Sequence, residues 1–386
     1  MIEIGLIGKP NTGKSSFLKA ATMQDVKIAP IPFTTLKPNI AVAHVTKKCV
    51  CNEFGVKCNP RQGACINGIR FIPIGLWDLP GIVPGAHEGR GLGLKFLDEA
   101  RKTKALIHVV DFSGLTDAEG KATENYDVEK DIKFVEKEIN LWFKEILERG
   151  LEKHKRNLRN ISREELLDIL AKQLSGLEVR REEIEMALDS VGIEDIEIFA
   201  KSLREISKPI VIVANKIDLE SSQRNYERLK NKYKNLIPVS AESEIALRLA
   251  ANKALIDYFP GSNDFTIKGS LNREQERVLE FIRNNVLKKF GSTGVQNVLN
   301  FTVFELLKYI VVYPVADLNK LSDTKGNILP DAFLIKSGTT LKEFAFSIHT
   351  DIGEKFICGI DARTKRRLSA EYELKDNDVF EIVYRR

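Results

Sequence analysis

The sequence predicts an α/β protein in which a mostly parallel sheet is interrupted by a helical insertion and followed by a small β-grasp-like module. Three observations predict this class. Short apolar segments end in polar or glycine-rich residues in the first part of the chain and again after residue 206. Between Asp111 and Pro209 lie about 95 residues, whereas a βαβ crossover needs about a dozen. From Val311 the pattern changes to short strands of alternating polarity.

The composition indicates a globular chain of roughly two or three domains. It has 386 residues, of which 43% are hydrophobic and 29% are charged, which excludes the disordered and collagen-like classes. The net charge of +5 is too small to establish a nucleic-acid partner. The N-terminal residues lack the pattern of a signal peptide, and no apolar run approaches the ~18 residues of a membrane span. We therefore expect a cytoplasmic protein with no membrane partner.

A phosphate-binding loop follows the first predicted strand, at residues 2–7. The loop matches the pattern GxxxxGK[ST] in full and leads into a helix. Its glycines let backbone N–H groups surround a phosphate, Lys14 reaches the β- and γ-phosphate oxygens, and Ser15 ligates Mg²⁺. The predicted phosphate-contacting residues are Gly8, Lys9, Pro10, Asn11, Thr12, Gly13, Lys14, Ser15 and Ser16.

Two further segments carry groups suited to the γ-phosphate. In Ile31–Thr35 a threonine hydroxyl can close on Mg²⁺ when that phosphate is present, and Thr35 is preferred over Thr34. A second buried strand ends at Asp78, whose carboxylate can hold the Mg²⁺ shell through water. The N–H of Gly81 can donate to the γ-phosphate. Together these segments predict a nucleotide switch.

Two later strand ends predict that the base is guanine. The first ends in the pattern NKxD, in which the Asp218 carboxylate accepts hydrogen bonds from guanine N1–H and the exocyclic amine. Adenine has no donors at these positions, so the pairing distinguishes the bases. Asn215 is expected to tie this loop to the phosphate loop, and the Lys216 stem to cover the ring. After the next strand, at Ser240 and Ala241, a backbone N–H can donate to guanine O6.

These motifs resemble those of the Obg group of P-loop GTPases, most clearly PFTT at residues 32–35 and DLPGIVPGAHEGRGLG at residues 78–93. The layout of the whole chain, including GSTGVQ at residues 291–296, resembles the YchF branch of that group in its archaeal type. The resemblance implies a P-loop NTPase G domain with a mostly parallel sheet, a helical insertion and a C-terminal TGS domain. We expect a Mg²⁺-dependent GTPase that acts as a nucleotide-controlled switch on the ribosome or RNA.

Two positions bear on the activity that the resemblance implies. Well-known YchF members have lost the aspartate of the guanine motif and prefer ATP, whereas this chain keeps Asp218. Many GTPases place a water-orienting glutamine after the DxxG glycine, but this chain has Ile82, as the Obg group does. A hydrocarbon cannot position water, so we expect slow hydrolysis or a contribution from elsewhere. His87 is the imidazole candidate, with an ordinary loop residue as the alternative. The predicted catalytic set is Lys14, Thr35, Gly81 and His87.

Two other functions stay open at this point. One is a GTP-binding sensor with negligible turnover, which Ile82 keeps possible. The other is an ATPase, which Asp218 disfavours. We expect a monomer and no DNA partner. The basic stretches at residues 153–159 and 363–367 are either contacts to RNA or a ribosome, or solvated surface.

Four of the five cysteines lie within one loop, with the spacing CxC-x6-C-x6-C. Four thiolates in one loop can form a tetrahedral zinc site, and a loop of this size would otherwise lack a core. Disulfides and four free thiols are the alternatives. The candidate zinc ligands are Cys49, Cys51, Cys58 and Cys65.

The remaining segments have helical or strand patterns. A helix is predicted over residues 127–149, ending at Gly150, and another over residues 296–309. The C-terminal module is predicted to contain one helix, at residues 340–349. The predicted division is a first part of the G domain at 1–115 with the cysteine-rich loop at 46–69, an insertion at 116–205, the second part at 206–262, a helical connector at 263–310 and the TGS domain at 311–386.

Overall fold

The apolar segments of the first domain form one central sheet. The computed structural model describes residues 1–23, 40–88, 99–152 and 161–385. The strands of this sheet are β1 (Glu3–Ile7), β2 (Ile40–Lys48), β3 (Ala64–Ile66), β4 (Ile69–Asp78), β5 (Ala105–Asp111), β6 (Ile210–Asn215) and β7 (Leu236–Pro238). Among the described residues they follow the order β2-β4-β1-β5-β6-β7, with β3 also paired to β4. β2 and β3 run antiparallel to β4, and the other pairs are parallel.

The parallel strands determine where a site can form. β1, β4, β5, β6 and β7 point their carboxyl ends towards the same edge, which is where ligands bind in open α/β sheets. Every residue of β5 is buried, as expected for a strand covered on both faces. The helix α1 (Lys14–Thr22) begins directly after the turn that follows β1.

In the described part of the insertion between β5 and β6, four helices are present: α2 (Glu129–Leu151), α3 (Arg163–Leu174), α4 (Arg181–Val191) and α5 (Ile196–Ser207). Apolar residues of α2, such as Trp142 and Phe143, are buried in a core shared with the other three helices. The predicted end of α2 at Gly150 is wrong, because the helix continues to Leu151. A Cβ at Gly150 would lie 2.4 Å from the Gln173 side chain. Gly150 therefore allows α3 to approach α2 closely.

The chain then completes the first domain and forms a connector. Its elements are α6 (Glu220–Leu229), α7 (Ala241–Asn252), the short strands β8 (Ile256–Asp257) and β9 (Thr266–Ile267), α8 (Arg273–Ile282) and α9 (Val295–Asn300). Both α8 and α9 continue into π-helical segments, which end at Leu287 and Leu306. The helix predicted up to Tyr309 is therefore too long. Lys308 has a φ of 57°, and Tyr309 already pairs with Lys336 in the next sheet.

The C-terminal residues form a separate α+β unit. Its elements are β10 (Tyr309–Val315), β11 (Phe333–Lys336), α10 (Leu341–Ile348), α11 (Thr350–Glu354), β12 (Phe356–Asp361), β13 (Arg367–Leu368) and β14 (Val379–Tyr384). Within the described part of the chain the sheet order is β11-β10-β14-β12-β13. The single predicted helix is two helices, because His349 is extended and its side chain caps the second at the Asp351 N–H, 3.1 Å away.

The fold class predicted from the sequence is confirmed: an α/β domain with a mostly parallel sheet, a helical region and a C-terminal module with its own sheet. The domain boundaries stay predictions. Among the described residues, no helix combines the length and the apolar character that crossing a bilayer requires.

Candidate functional site

The phosphate loop and the base loop are joined by one amide side chain. Asn215 Nδ2 donates to the carbonyl of Thr12, at 2.9 Å, and Asn215 Oδ1 accepts from the Ala241 N–H, at 3.3 Å. Gly13 has a φ of 91°, and a Cβ there would lie 2.3 Å from Asn215 Nδ2. A glycine is therefore required at this position by both the backbone conformation and the contact. The tie expected from the sequence is present in the structure.

Lys14 closes the phosphate loop from within. Its ammonium donates to the carbonyl oxygens of Gly8, at 3.0 Å, and Lys9, at 2.8 Å. Burial lowers the pKa of Lys14 to about 8, although the charge of Asp78 acts in the opposite direction. Burial also raises the pKa of Asp78, and here Lys14 opposes the shift. The charges of Lys14 and Asp78 therefore influence each other's pKa at the carboxyl edge of the sheet. Ser15 lies exposed in the first turn of α1.

The Lys9 side chain is held by the start of the insertion. Its ammonium forms an ion pair of 2.7 Å with Asp131 of α2 and lies 4.5 Å from the centre of the Tyr126 ring. It also donates to the carbonyls of Thr116 and Asp117, at 2.8 and 2.7 Å. Lys9 is only 1% exposed. Its side chain therefore anchors the loop to the insertion, a role that the motif did not predict.

Pro10 and Asn11, which follow Lys9, also contact neighbouring segments. Asn11 Nδ2 donates to the Gly120 carbonyl, at 3.0 Å. Gly120 and Gly81 both lie against Pro10, where a Cβ on either would come within 3.3 Å of a Pro10 atom. The phosphate loop is therefore enclosed by the segment after β5 on one side and by the DxxG turn on the other.

The DxxG turn is hydrogen bonded directly to the phosphate loop. The N–H of Ile82 donates to the Gly8 carbonyl, at 3.1 Å, and the N–H of Leu79 donates to Leu6, at 3.3 Å. The Ile82 side chain is 1% exposed and lies in the same apolar core as Trp77 and Leu79. This side chain packs the turn in place and offers no group that could orient water.

His87 is bound to the insertion helix α2. Its Nδ1 lies 2.5 Å from Glu138 Oε2. The backbone N–H groups of Gly85 and His87 donate to the same carboxylate, at 2.7 and 3.1 Å. Burial opposes ionisation of Glu138, but these hydrogen bonds outweigh it and the pKa of the carboxyl falls below its usual value. Glu138 is a residue that sequence reasoning missed, because the helical pattern gave no sign of its partner.

The side chains predicted to bind the base, Lys216 and Asp218, are each held by one neighbouring side chain. Lys216 Nζ donates to Asp111 Oδ2, at 2.7 Å, and the Ser240 hydroxyl donates to Asp218 Oδ1, also at 2.7 Å. Burial opposes ionisation of Asp111, but its hydrogen bonds from Lys216 and Ser113 lower its pKa overall. Asp111 was not recognised from the sequence, although its position at the end of a buried strand was a usable signal.

Two of the predicted contacts need a comment. The Ala241 N–H, a candidate donor to guanine O6, donates to Asn215 in this structure, so a guanine oxygen would have to share or replace that long hydrogen bond. Thr35, together with the whole segment 24–39, lies outside the described residues, as do residues 89–98 and 153–160.

The four clustered cysteines converge at the opposite end of β4. Their sulfur atoms all lie within 4.8 Å of one another. The shortest separations are 3.8 Å between Cys51 and Cys65 and 4.0 Å between Cys49 and Cys58. None of the four forms a disulfide. This cluster is separate from the phosphate and base loops.

A phosphate loop between β1 and α1, a DxxG turn after β4 and an NKxD loop after β6 define a P-loop protein with the base loop of guanine-nucleotide binders. Comparison with family models agrees. Residues 3–147 match the 50S ribosome-binding GTPase family, residues 213–317 match the Obg-like GTPase YGR210-like, G4 motif-containing domain, and residues 325–384 match the TGS domain.

Full-length relatives support the same assignment. An uncharacterized GTP-binding protein of Methanocaldococcus jannaschii is 48% identical, with 99% of each chain covered. Another from Schizosaccharomyces pombe is 37% identical over 88% of each chain. The crystal structure of a GTP-binding protein from Pyrococcus horikoshii is 37% identical, with a TM-score of 0.77 over 99% of this chain and all of that one.

The chain therefore belongs to the Obg-like family of P-loop GTPases, with a C-terminal TGS domain. It is a GTP-binding protein. The fold is shared with the S. pombe YchF GTPase, which is 18% identical, with a TM-score of 0.57 over 99% of this chain and 97% of that one.

Proposed function

We propose that this protein is a slow, Mg²⁺-dependent GTPase whose nucleotide state controls docking on the ribosome. The observation that carries the proposal is the direct hydrogen bond from the Ile82 N–H to the Gly8 carbonyl. Through it, the turn predicted to contact the γ-phosphate rests on the loop predicted to hold the β-phosphate. A change at either phosphate would therefore shift the segment that continues to His87, which is bound to α2.

The residues present fit a magnesium ion. Ser15 and Asp78 offer a hydroxyl and a carboxylate at the same sheet edge, and such hard oxygen donors are the ligands that Mg²⁺ prefers. When bound, Mg²⁺ would neutralise phosphate charge. Lys14, already inside the loop, would transfer its hydrogen bonds from the Gly8 and Lys9 carbonyls to phosphate oxygens. Thr35 remains the proposed second hydroxyl.

GTP is preferred over ATP in this proposal. The Ser240 hydroxyl occupies one side of Asp218 Oδ1 and holds the carboxylate in one orientation. An oriented carboxylate binds the two guanine donors with little loss of conformational entropy. Lys216, held by Asp111, is placed to cover the base. These contacts argue against the ATPase alternative.

Hydrolysis is expected to be slow because Ile82 is buried and cannot orient water. We propose His87 as the group that assists. With Nδ1–H donating to Glu138, the second ring nitrogen is left as an acceptor, the arrangement in which a base is oriented by a third group. A rearrangement of the DxxG turn on GTP binding is required to bring this nitrogen to the water.

Ribosome docking is supported by the family description that matches residues 3–147 and by the basic stretch at residues 363–367 of the C-terminal domain. Arg366 and Arg367 are exposed there, whereas Arg363 is used in an ion pair with Glu53. The docked partner is proposed to be the large subunit or its RNA.

The test is single-turnover GTP hydrolysis with and without ribosomes, combined with ribosome co-sedimentation in GDP or a non-hydrolysable GTP analogue. Nucleotide-dependent co-sedimentation and a faster rate with ribosomes are expected. Tight GTP binding without turnover under either condition would instead establish the sensor alternative. Equal co-sedimentation in both nucleotides would refute the switch.

A further inference from the structure

We propose that Cys49, Cys51, Cys58 and Cys65 bind one structural zinc ion, and that the loop they close fastens the C-terminal domain to strand β4. We call residues 49–65 the zinc loop. This proposal does not depend on the nucleotide or on its hydrolysis.

The positions of the sulfur atoms fit a single tetrahedral ion. A zinc–thiolate site with bonds of about 2.3 Å places neighbouring sulfurs about 3.8 Å apart. The shortest pairs here are 3.8 and 4.0 Å apart, and all four atoms lie within 4.8 Å. A disulfide needs about 2 Å and joins only two sulfurs. A single metal ion requires four sulfurs around one centre, whereas two disulfides do not require this arrangement.

A buried hydroxyl beside the cluster lacks a partner in the described part of the chain. The hydroxyl of Tyr313, in β10, is buried and has no hydrogen-bond partner among the described residues. The Cys49 side chain lies beside it. A zinc-bound Cys49 thiolate would give the Tyr313 hydroxyl a permanent acceptor nearby.

The zinc loop is also the surface on which the C-terminal domain rests. The N–H of Asn59 donates to the Ile328 carbonyl, at 2.9 Å, and the N–H of Arg61 donates to the Pro330 carbonyl, at 3.0 Å. The N–H of Ile328 donates back to Asn59 Oδ1, at 3.1 Å. These three hydrogen bonds form only if the loop backbone keeps a fixed position relative to β4.

Charged groups complete the contact. Arg61 pairs with Asp331, and Arg363 pairs with Glu53, at 2.6 Å, while its guanidinium lies 5.3 Å from the centre of the Phe54 ring. Within the loop, the regular elements described are one 3₁₀ turn (Val50–Asn52) and the short strand β3. A metal at its centre would therefore supply the rigidity that these contacts need.

The zinc loop also leads into β4, the strand that ends at Asp78. Cys65 pairs with Arg70 in the β3–β4 ladder. The Arg70 guanidinium is buried and donates to the carbonyls of Leu329 and Pro330, at 3.0 and 2.8 Å. The zinc loop and β4 thus both contact residues 328–331 of the C-terminal domain.

The first experiment measures metal in the full-length protein, purified without chelators or added metal. About one zinc per chain is expected, with the four thiols protected from a thiol reagent. Cys65→Ser and Cys58→Ser should each lower the zinc content severalfold. Cys358→Ser, in strand β12, is the matched control and should retain it. Absence of metal with four titratable thiols, or with two disulfides, would overturn the proposal.

The second experiment tests the fastening role by amide hydrogen exchange before and after zinc is released with a mercurial. Exchange at the amides of Arg61 and Ile328, which donate across the contact, should rise about tenfold or more, while GDP still binds. Releasing the ion without mutation keeps the test valid if a cysteine variant fails to fold. Loss of zinc with unchanged exchange at Arg61 and Ile328 would overturn the fastening role.

Discussion

The two ends of strand β4 belong to different kinds of site. Its carboxyl end delivers Asp78 to the phosphate loop, and its amino end carries Arg70 into the contact with the C-terminal domain. The first end is surrounded by groups that contiguous motifs specify. The second is surrounded by residues 259 and 260 positions away in the chain. A ten-residue strand spans about 33 Å, so one rigid element connects the two.

This difference predicts which mutations should affect ligand binding and which should affect stability. Side chains at the carboxyl end belong to the predicted nucleotide site, so removing them should affect binding and chemistry more than stability. Arg70 lies in a contact outside that site, so its removal should affect stability and leave the ligand alone. The predictions below test that division.

The largest effect is expected at Lys14. Lys14→Ala removes the cation that compensates the transferred phosphate, so single-turnover GTP hydrolysis should fall by about a thousandfold or more. Thermal unfolding should change little, because among the described residues Lys14 donates to the loop carbonyls of Gly8 and Lys9. Lys19→Ala, at an exposed position in the last turn of α1, is the control. Wild-type turnover in Lys14→Ala would contradict the phosphate role.

The next effect concerns the base. Asp218→Asn exchanges an acceptor for a donor, and GTP affinity should fall by about 2–4 kcal/mol. ATP affinity should stay unchanged, which fluorescent nucleotide titration measures. Glu220→Gln, two residues further on and exposed, is the matched control. Equal affinity of the wild-type protein for GTP and ATP would remove the guanine assignment.

The opposite pattern is expected at the other end of β4. Arg70 is 1% exposed, and Arg70→Met leaves the buried carbonyls of Leu329 and Pro330 without these donors. The free energy of unfolding should fall by about 2–4 kcal/mol, with GTP affinity unchanged. Arg366→Met, at an exposed position, should cost almost nothing. A variant that is stable but has lost GTP affinity would break the proposed division between the two ends.

A smaller effect is expected from the His87–Glu138 pair. His87→Ala should lower single-turnover hydrolysis about ten- to a hundredfold without changing GDP affinity, because its role is confined to the reacting water. Glu138→Gln should give a smaller loss, since it keeps His87 and changes only the group that holds its ring and the backbone N–H groups of Gly85 and His87. Unchanged hydrolysis in His87→Ala would leave His87 as an ordinary loop residue.

The smallest effect is a pH dependence at the phosphate loop. The pKa of Lys14 is about 8 in the free protein, and a bound phosphate must raise it. Binding therefore takes up a proton above this pKa, and GDP affinity should fall about fourfold by about pH 8.5 relative to neutral pH. Calorimetry in buffers of different ionisation enthalpy measures the proton uptake. Absence of uptake at about pH 8.5 would show that Lys14 is already fully charged.

The contact between the phosphate loop and the base loop could be predicted from the sequence, because contiguous motifs place both loops at the carboxyl ends of strands in one sheet. Asn215 and Gly13 illustrate this, since both belong to motifs whose spacing implies where they meet. The ion pair of Lys9 with Asp131 and the contact of His87 with Glu138 could not be predicted. Helical periodicity identifies a buried face, but it does not say which distant loop that face receives.

The same limit explains the errors at helix ends. The sequence predicts a stop at Gly150 because glycine is a weak helix former, yet this glycine lies within α2 and allows α3 to pack closely. Tyr309 fitted a helical pattern, but pairing with Lys336 in the C-terminal sheet prevailed. In both cases a tertiary contact overrode a local preference.

The burial of Arg70 also has a consequence for biosynthesis. Its acceptors at Leu329 and Pro330 leave the ribosome 259 and 260 residues later. At about 5–20 residues per second, this interval is roughly ten seconds to a minute. For most of that time the first domain is itself incomplete, because β6 and β7 follow the insertion. Once it is complete, Arg70 and the zinc loop still lack their partners in the C-terminal domain. The finished G domain therefore waits for the C-terminal domain, and a chain truncated before residue 329 would keep that surface open permanently.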